Sequence, residues 1–494
     1  MMLHICAFQQ NIEQIPVVNL QFRKGGFMFE TIIDAINTFL YSKLLIVILI
    51  GSGIYFTIQT RFPQVRLFKN ACSAVMEKPE GEESVSSFQA LMVSTASRVG
   101  TGNIVGVSSA ICIGGVGSVF WMWVIAIIGS ASALAESTLA QIYKKKSEDG
   151  ECYGGPAYYI EAALHSRGLA IAFCIAMILT YAFGFNMLAS YNLQSTFAGM
   201  SFYNAEVTPW IIGGVLALVT GWCLLGGGHR IVKVTSTLVP FMGIIYILVS
   251  LAVVVLNIGQ LSAVLAQIFE EAFNFKAIFA GFAGSAMMQG IRRGLYSNEA
   301  GIGSAPNAAA SAVVSHPVKQ GLVQMLSVFI DTLLLCTATA MMCLVSGVAP
   351  AKELQGAPWV QAALHKTLGS FGPYFIMIAM VLFAFTTLLG NCFYCDNLLT
   401  YIHKKQPGKK FMTGFRVVSA LVIFLGAGME MTLLWHISDV LMGVMALINI
   451  PVILILSNTV LKALKDYETQ VKEKKNPVFY RKNIDLKQKT DYWN

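Results

Sequence analysis

Apolar residues in this chain fall into long uninterrupted runs separated by short polar stretches. Runs of about 17–25 residues are the length that crosses a bilayer as helix. Eleven occur, near 40–60, 86–112, 116–142, 168–190, 208–226, 232–257, 276–296, 317–347, 372–400, 411–428 and 433–458. Lipid offers no water to backbone N–H and C=O groups, so each run is predicted to be helical. The seventh is the least apolar. Residues 1–30 are mixed in polarity and lack the basic–apolar–small order of a secretory signal.

Composition supports the same class. The 494 residues are 55% apolar and 12% charged, against about a quarter charged in ordinary globular domains. A soluble chain of this length would need several polar-surfaced domains. Soluble enzyme, secreted scaffold and nucleic-acid binder are therefore excluded. The ten cysteines are scattered, and Cys392-x-x-Cys395 lies in an apolar run without histidines, so both read as small buried hydrophobes. The seven histidines form no H-E-x-x-H pair, and no nucleophile–base pair suggests an intramembrane enzyme. The net charge of +8 has a location: with the C-terminus inside, 26 Lys and Arg fall on inner segments and six on outer ones. The positive-inside rule then places the N-terminus outside and the C-terminus in the cytoplasm. The chain divides into an extracytoplasmic segment 1–39, a helix 40–60, two groups of five spans at 86–257 and 276–458, and a basic cytoplasmic tail 459–494.

Two spans are broken. Span two carries Ser97-Arg98-Val99-Gly100-Thr101-Gly102-Asn103-Ile104-Val105-Gly106. Span seven carries Gly281-Phe282-Ala283-Gly284-Ser285-Ala286-Met287-Met288-Gln289-Gly290. Glycines so dense make a poor helix interior. Small-xxx-small spacing also serves close helix packing. The two breaks lie five spans apart, an odd number that reverses direction across the membrane. Spans two to six and seven to eleven then form an inverted repeat behind one extra helix, a transporter pattern with its site at the midplane. Half-helix N-termini suit a carboxylate, and freed carbonyls suit a cation. A small zwitterionic amino acid with sodium complements both. Gly100, Thr101, Gly102 and Asn103, with Gly281, Phe282, Gly284, Ser285, Met288 and Gln289, are the candidate substrate contacts. A channel is a weaker reading, because no repeated filter motif is visible.

Several motifs resemble the alanine or glycine:cation symporters. They include Phe88-Gln89-Ala90-Leu91, Val99-Gly100-Thr101-Gly102-Asn103, Phe120-Trp121-Met122-Trp123 with Glu136, and Gly154-Gly155-Pro156-Ala157. The long run Ser297-Asn298-Glu299-Ala300-Gly301-Ile302-Gly303-Ser304-Ala305-Pro306-Asn307 is the most specific, followed by His316-Pro317, Gln320-Gly321 and Asp331-Thr332. The resemblance covers roughly residues 40–460 and implies a sodium- or proton-coupled symporter for small amino acids. It also implies the five-plus-five fold first seen in a leucine transporter, without a cofactor beyond the coupling ion. Gln194 matches a substrate-contacting glutamine. Thr386 and Thr387 match a helix that supplies sodium ligands, opposite the carbonyls near Gly100. The chain departs at Val116, where the family usually has proline, which is expected to loosen that outer turn. It departs again at Asn391, where tryptophan is common near the pocket.

Asp331 is an intramembrane carboxylate, read either as part of a cation or proton site or as a fixed structural bond. Arg98 precedes the first break and is expected to pair with Asp331, Glu136 or Glu299. Phe120, Trp121 and Trp123 read as interfacial anchors. Met287 and Met288 suit a substrate methyl or core filling.

Overall fold

The computed structural model describes residues 25–77, 85–146, 150–274, 285–488 and 490–493. It is helical and polytopic. Among the described residues seven helices are long and apolar enough to cross a membrane: α4 (Ser118–Ile142), α5 (Arg167–Ser195), α7 (Gly227–Leu256), α11 (Pro317–Val345), α12 (Phe371–His403), α13 (Lys409–Ala427) and α14 (Met431–Ile455). Shorter helices accompany them: α1 (Ile46–Gln59), α2 (Ser87–Arg98), α3 (Val107–Gly114), α6 (Thr208–Leu224), α8 (Ile258–Ala272), α9 (Ala286–Asn298), α10 (Ala305–Ser311) and α15 (Ser457–Lys472). The only strands among the described residues are the pair Lys145–Lys146 and Cys152–Tyr153.

Span two is split as its glycines predict. Ser86 starts α2 with a reciprocal cap: its Oγ accepts the Gln89 N–H at 3.1 Å and its own N–H donates to Gln89 Oε1 at 2.9 Å. The helix stops at Arg98, resumes as a wide π-turn over Gly102–Gly106, and ends as α3. Span seven is described only from Ser285 onward. Gly281, Phe282 and Gly284 lie outside the described residues. Ser285 is the N-cap of α9, its Oγ accepting the Met288 N–H at 3.3 Å, so a helix begins where the sequence places a break.

The Ser297–Asn307 motif is a turn built around one carboxylate. Gly301 and Gly303 have φ of +83° and +90°, which glycine alone adopts without strain. Their N–H groups converge on Glu136 of α4 at 3.2 and 3.0 Å, and Asn449 of α14 donates to the same carboxylate at 2.8 Å. Buried backbone donors are thereby satisfied inside the bundle.

Two sequence expectations change here. The Val116 turn is not loose: its N–H, which proline would lack, donates to Glu271 Oε2 of α8 at 2.6 Å. Trp121 and Trp123 are bonded into the protein, Trp121 to the Ala272 carbonyl at 3.1 Å and Trp123 to Thr337 Oγ1 at 2.8 Å. Both residues sit where α8 packs back over the start of α4, so protein groups rather than interface meet their indoles. Val116→Pro should therefore destabilise the chain by about 1.5–3 kcal/mol, the worth of a hydrogen bond to a charged group. Thermal unfolding in detergent, with Glu271→Gln as a milder companion, measures it.

Candidate functional site

The unwound residues are Val99 and Gly100. Val99 has φ −76° and ψ 85°, and the Gly100 N–H, stripped of a helical acceptor, donates to Asn103 Oδ1 at 2.9 Å. The Asn103 side chain thus replaces a lost main-chain bond. Its Nδ2 donates to Asp331 Oδ1 at 2.8 Å. Asp331 also accepts from Ser297 Oγ at 2.7 Å and Thr332 Oγ1 at 2.8 Å. Asn103, Asp331 and Ser297 are all fully buried, so the break in α2 is tied to α9 and α11 through a hydrogen-bonded carboxylate.

A small cavity opens beside the break, lined by Ser97, Arg98, Gly100, Thr101, Gly102, Phe185, Tyr296, Glu299 and Thr387. It has room for about one water molecule. Side chains of any size on the two glycines would fill it. A Cβ on Gly100 would collide with the Thr387 hydroxyl, and one on Gly102 would come within 2.6 Å of the Tyr296 ring. Tyr296 packs edge-on against Phe185 and Trp435, each at 4.8 Å. Arg293 lies over Trp435 at 3.8 Å and grips Asp439 of α14 with two bonds, 3.3 and 3.1 Å. The Tyr41 hydroxyl, from the helix preceding α1, donates to the Asp439 carbonyl at 3.2 Å.

Thr387 is the threonine that faces the break. Its hydroxyl is buried without a hydrogen-bond partner among the described residues. Thr386 points elsewhere: its hydroxyl back-bonds to the Leu382 carbonyl at 2.9 Å. The two cannot share a role, because adjacent helix positions are about 100° apart.

The remaining candidates separate. Thr101 Oγ1 accepts from Asn192 at 3.0 Å. Gln194, two residues on, accepts instead from the Tyr203 hydroxyl at 2.8 Å and lies outside the cavity lining. Asn391 also lies behind the lining, accepting from Ser97 at 2.8 Å and donating to Asn186 at 3.0 Å. Met288 and Gln289 are buried in α9, with the Gln289 stem against Gly114. Arg98 does not pair with a carboxylate. It reaches α11, where Nη1 donates to the Ser327 hydroxyl and lies 3.5 Å from Gln324 Oε1. No carboxylate oxygen comes within 4.0 Å of it among the described residues. The reason is where α2 ends: Arg98 is its last residue and its side chain crosses to the neighbouring helix. Glu299 is held by Ser97 at 3.1 Å and Ser304 at 2.7 Å.

Tyr296, Phe185 and Asn192 were not singled out in the sequence. Tyr296 stands eleven positions after the Ser285 cap, three turns along α9, which is the signal that could have found it.

A profile of the sodium:alanine symporter family matches residues 26–481. The chain belongs to that family. The probable sodium/glutamine symporter GlnT of Bacillus subtilis (strain 168) is 43% identical over 458 residues, covering 92% of this chain and 94% of the relative. The amino-acid carrier protein AlsT of the same strain is 43% identical, covering 94% and 98%. The sodium/alanine symporter AgcS of Methanococcus maripaludis is 37% identical, covering 91% and 99%. Among solved structures, MhsT in complex with L-phenylalanine superposes with a TM-score of 0.58 at 14% identity, over 78% of this chain and 93% of that one. That likeness supports a leucine-transporter-type fold. The family makes the chain a multi-pass, cation-coupled amino-acid symporter and not an enzyme.

Gly100→Ala should reduce amino-acid uptake about 10- to 100-fold, the effect of about 1–3 kcal/mol of overpacking. Gly106→Ala should leave uptake near the parent value, since a Cβ there meets Trp435 at an ordinary 3.8 Å. Initial-rate uptake at matched membrane levels compares the two.

Proposed function

We propose that this chain imports a small neutral amino acid, alanine or glycine, together with sodium. The observation that carries the reading is the unwound backbone at Val99–Gly100, facing the unpartnered hydroxyl of Thr387 across a cavity too small for a large side chain. Carbonyls freed near Gly100 and the Thr387 hydroxyl are hard oxygen donors, the type sodium takes. Asp331 supplies negative charge through Asn103. The backbone at Thr101–Gly102 offers N–H groups to the carboxylate of the substrate, and Tyr296 and Glu299 line the other side.

In this reading eleven helices cross the bilayer with the N-terminus outside and the C-terminus in the cytoplasm, arranged as two inverted groups of five behind one extra helix. Spans two and seven rock against the remainder, exposing the cavity alternately to each side. The Arg293–Asp439 pair and Trp435 back the Tyr296 wall of the cavity. Sodium and substrate stabilise the same unwound segment, so each strengthens binding of the other.

A proton is the second coupling ion to weigh, on a specific observation. Glu136, Glu299 and Asp331 are fully buried, and no Lys, Arg or His approaches them within 4.0 Å among the described residues. Arg98 is the cation nearest to hand, so these three carboxyl groups outnumber the one base beside them and favour an added cation.

Labelled alanine uptake into proteoliposomes, with a sodium gradient and a pH gradient imposed separately, decides between them. Sodium-driven accumulation is expected, and binding indifferent to both ions would sink coupling. Thr387→Ala should raise the sodium concentration needed for half-maximal uptake about tenfold or more. Asn103→Ala should lose uptake with normal membrane insertion, whereas Gln194→Ala, bonded to Tyr203 outside the cavity lining, should keep it; full transport by Asn103→Ala would remove that residue from the site.

A further inference from the structure

The basic tail does not hang free: its described residues fold back onto the bundle. Helix α15 follows α14 after a single intervening residue, Leu456. Its Asp466 bonds His316 Nε2 at 3.2 Å, and its Glu468 takes Arg66 at 2.8 Å. Beyond α15 the backbone runs beside the start of α11. Phe479 N–H donates to the Ser315 carbonyl at 2.9 Å, and Ser315 Oγ donates to the Pro477 carbonyl at 2.7 Å. Lys319 Nζ, nearly buried, reaches Glu77 at 2.6 Å and Asn476 at 2.8 Å. The His316 ring is sandwiched edge-on by Tyr467 and Phe479.

The end of the tail reaches α4. Trp493 is buried, with its indole N–H on the Gln141 carbonyl at 2.7 Å. Lys144 is fully buried under the Tyr492 ring, 3.8 Å from its centre, and donates to the Ala312 carbonyl at 2.8 Å. Gln141 donates to the carbonyls of Ala309 and Ala312. The same stretch, 309–320, holds the start of the broken helix: Val313 N–H donates to the Val85 carbonyl at 3.0 Å, and Gln320 donates to Ser87 at 2.9 Å. One network therefore runs from α14 through the tail to the first turn of α2.

We propose that residues 457–488 and 490–493 form a strap that clamps the inner ends of α2, α4 and α11 and restrains transport until it lets go. The inference rests on the alternating-access reading, in which the start of α2 must separate from 313–320 for the cavity to open inward. The strap is built for release. Its anchors are two aromatic insertions and a few ion pairs on a short segment, and partly exposed pairs such as Arg66–Glu468 contribute little.

Two variants test it. A chain ending at Lys475 keeps α15 but loses the clasp, and its maximal alanine uptake rate should rise about threefold or more. Amide hydrogen exchange should quicken at 85–90, which the network reaches through Val313 and Gln320. Conversely, Ser315→Cys with Phe479→Cys in a Cys72→Ser background joins backbones already in main-chain contact. Oxidation should cut uptake several-fold and a thiol reductant should restore it. Full-rate uptake by the oxidised pair overturns the strap even if the shortened chain fails to fold. So does unchanged exchange at 85–90, a reading that needs no substrate. Absence of alanine uptake by the parent chain counts instead against the functional reading.

Discussion

The structure turns on how a stretch of unwound main chain survives at the centre of an apolar bundle. Leaving helical geometry at Val99 and Gly100 strands polar groups where water is scarce, at a cost of several kcal/mol if nothing answers them. Asn103 answers one of them by taking the Gly100 N–H on its side-chain oxygen. Its other end is fixed by Asp331. That one amide converts a local defect into a joint between α2 and α11, and the adjoining cavity exists because the joint holds the chain open.

Electrostatics follows from the same constraint. A buried carboxylate needs hydrogen-bond donors when no cation is in contact. Glu136 takes two glycine N–H groups and an asparagine, Glu299 two hydroxyls, and Asp331 an amide and two hydroxyls. Donor groups of this kind spread the charge without cancelling it. The Arg293–Asp439 pair, by contrast, is internally neutral and joins α9 to α14 beside the aromatic wall.

Much of this was legible in the sequence. Glycine density placed the interruption in span two within the stretch 97–106, and the unwound residues Val99 and Gly100 lie inside it, because nothing but packing or function explains three glycines in one apolar run. Ser285, read from the sequence as a substrate contact, is the N-cap of α9. What could not be read was anything set by facing helices. Thr386 and Thr387 are adjacent in sequence, and only the rotation of α12 tells which one meets Gly100. Arg98 was expected to find a carboxylate and found a serine on α11, since reach and direction are tertiary facts. Val116 looked like a lost proline; the partner that makes its N–H useful lies some 150 residues away. The inward folding of the tail was hidden for the same reason, as its lysines read equally well as a lipid-facing charge.

The cavity's present size has an energetic consequence. On the proposed reading, an amino acid enters only by lifting the Tyr296 ring from Gly102 and from its aromatic neighbours. Part of each substrate's contact energy would then be spent on displacement, and the apparent affinity would fall short of the intrinsic one. For a carrier that would be useful: a cargo held too tightly is never let go, and a tyrosine that springs back would help to expel it.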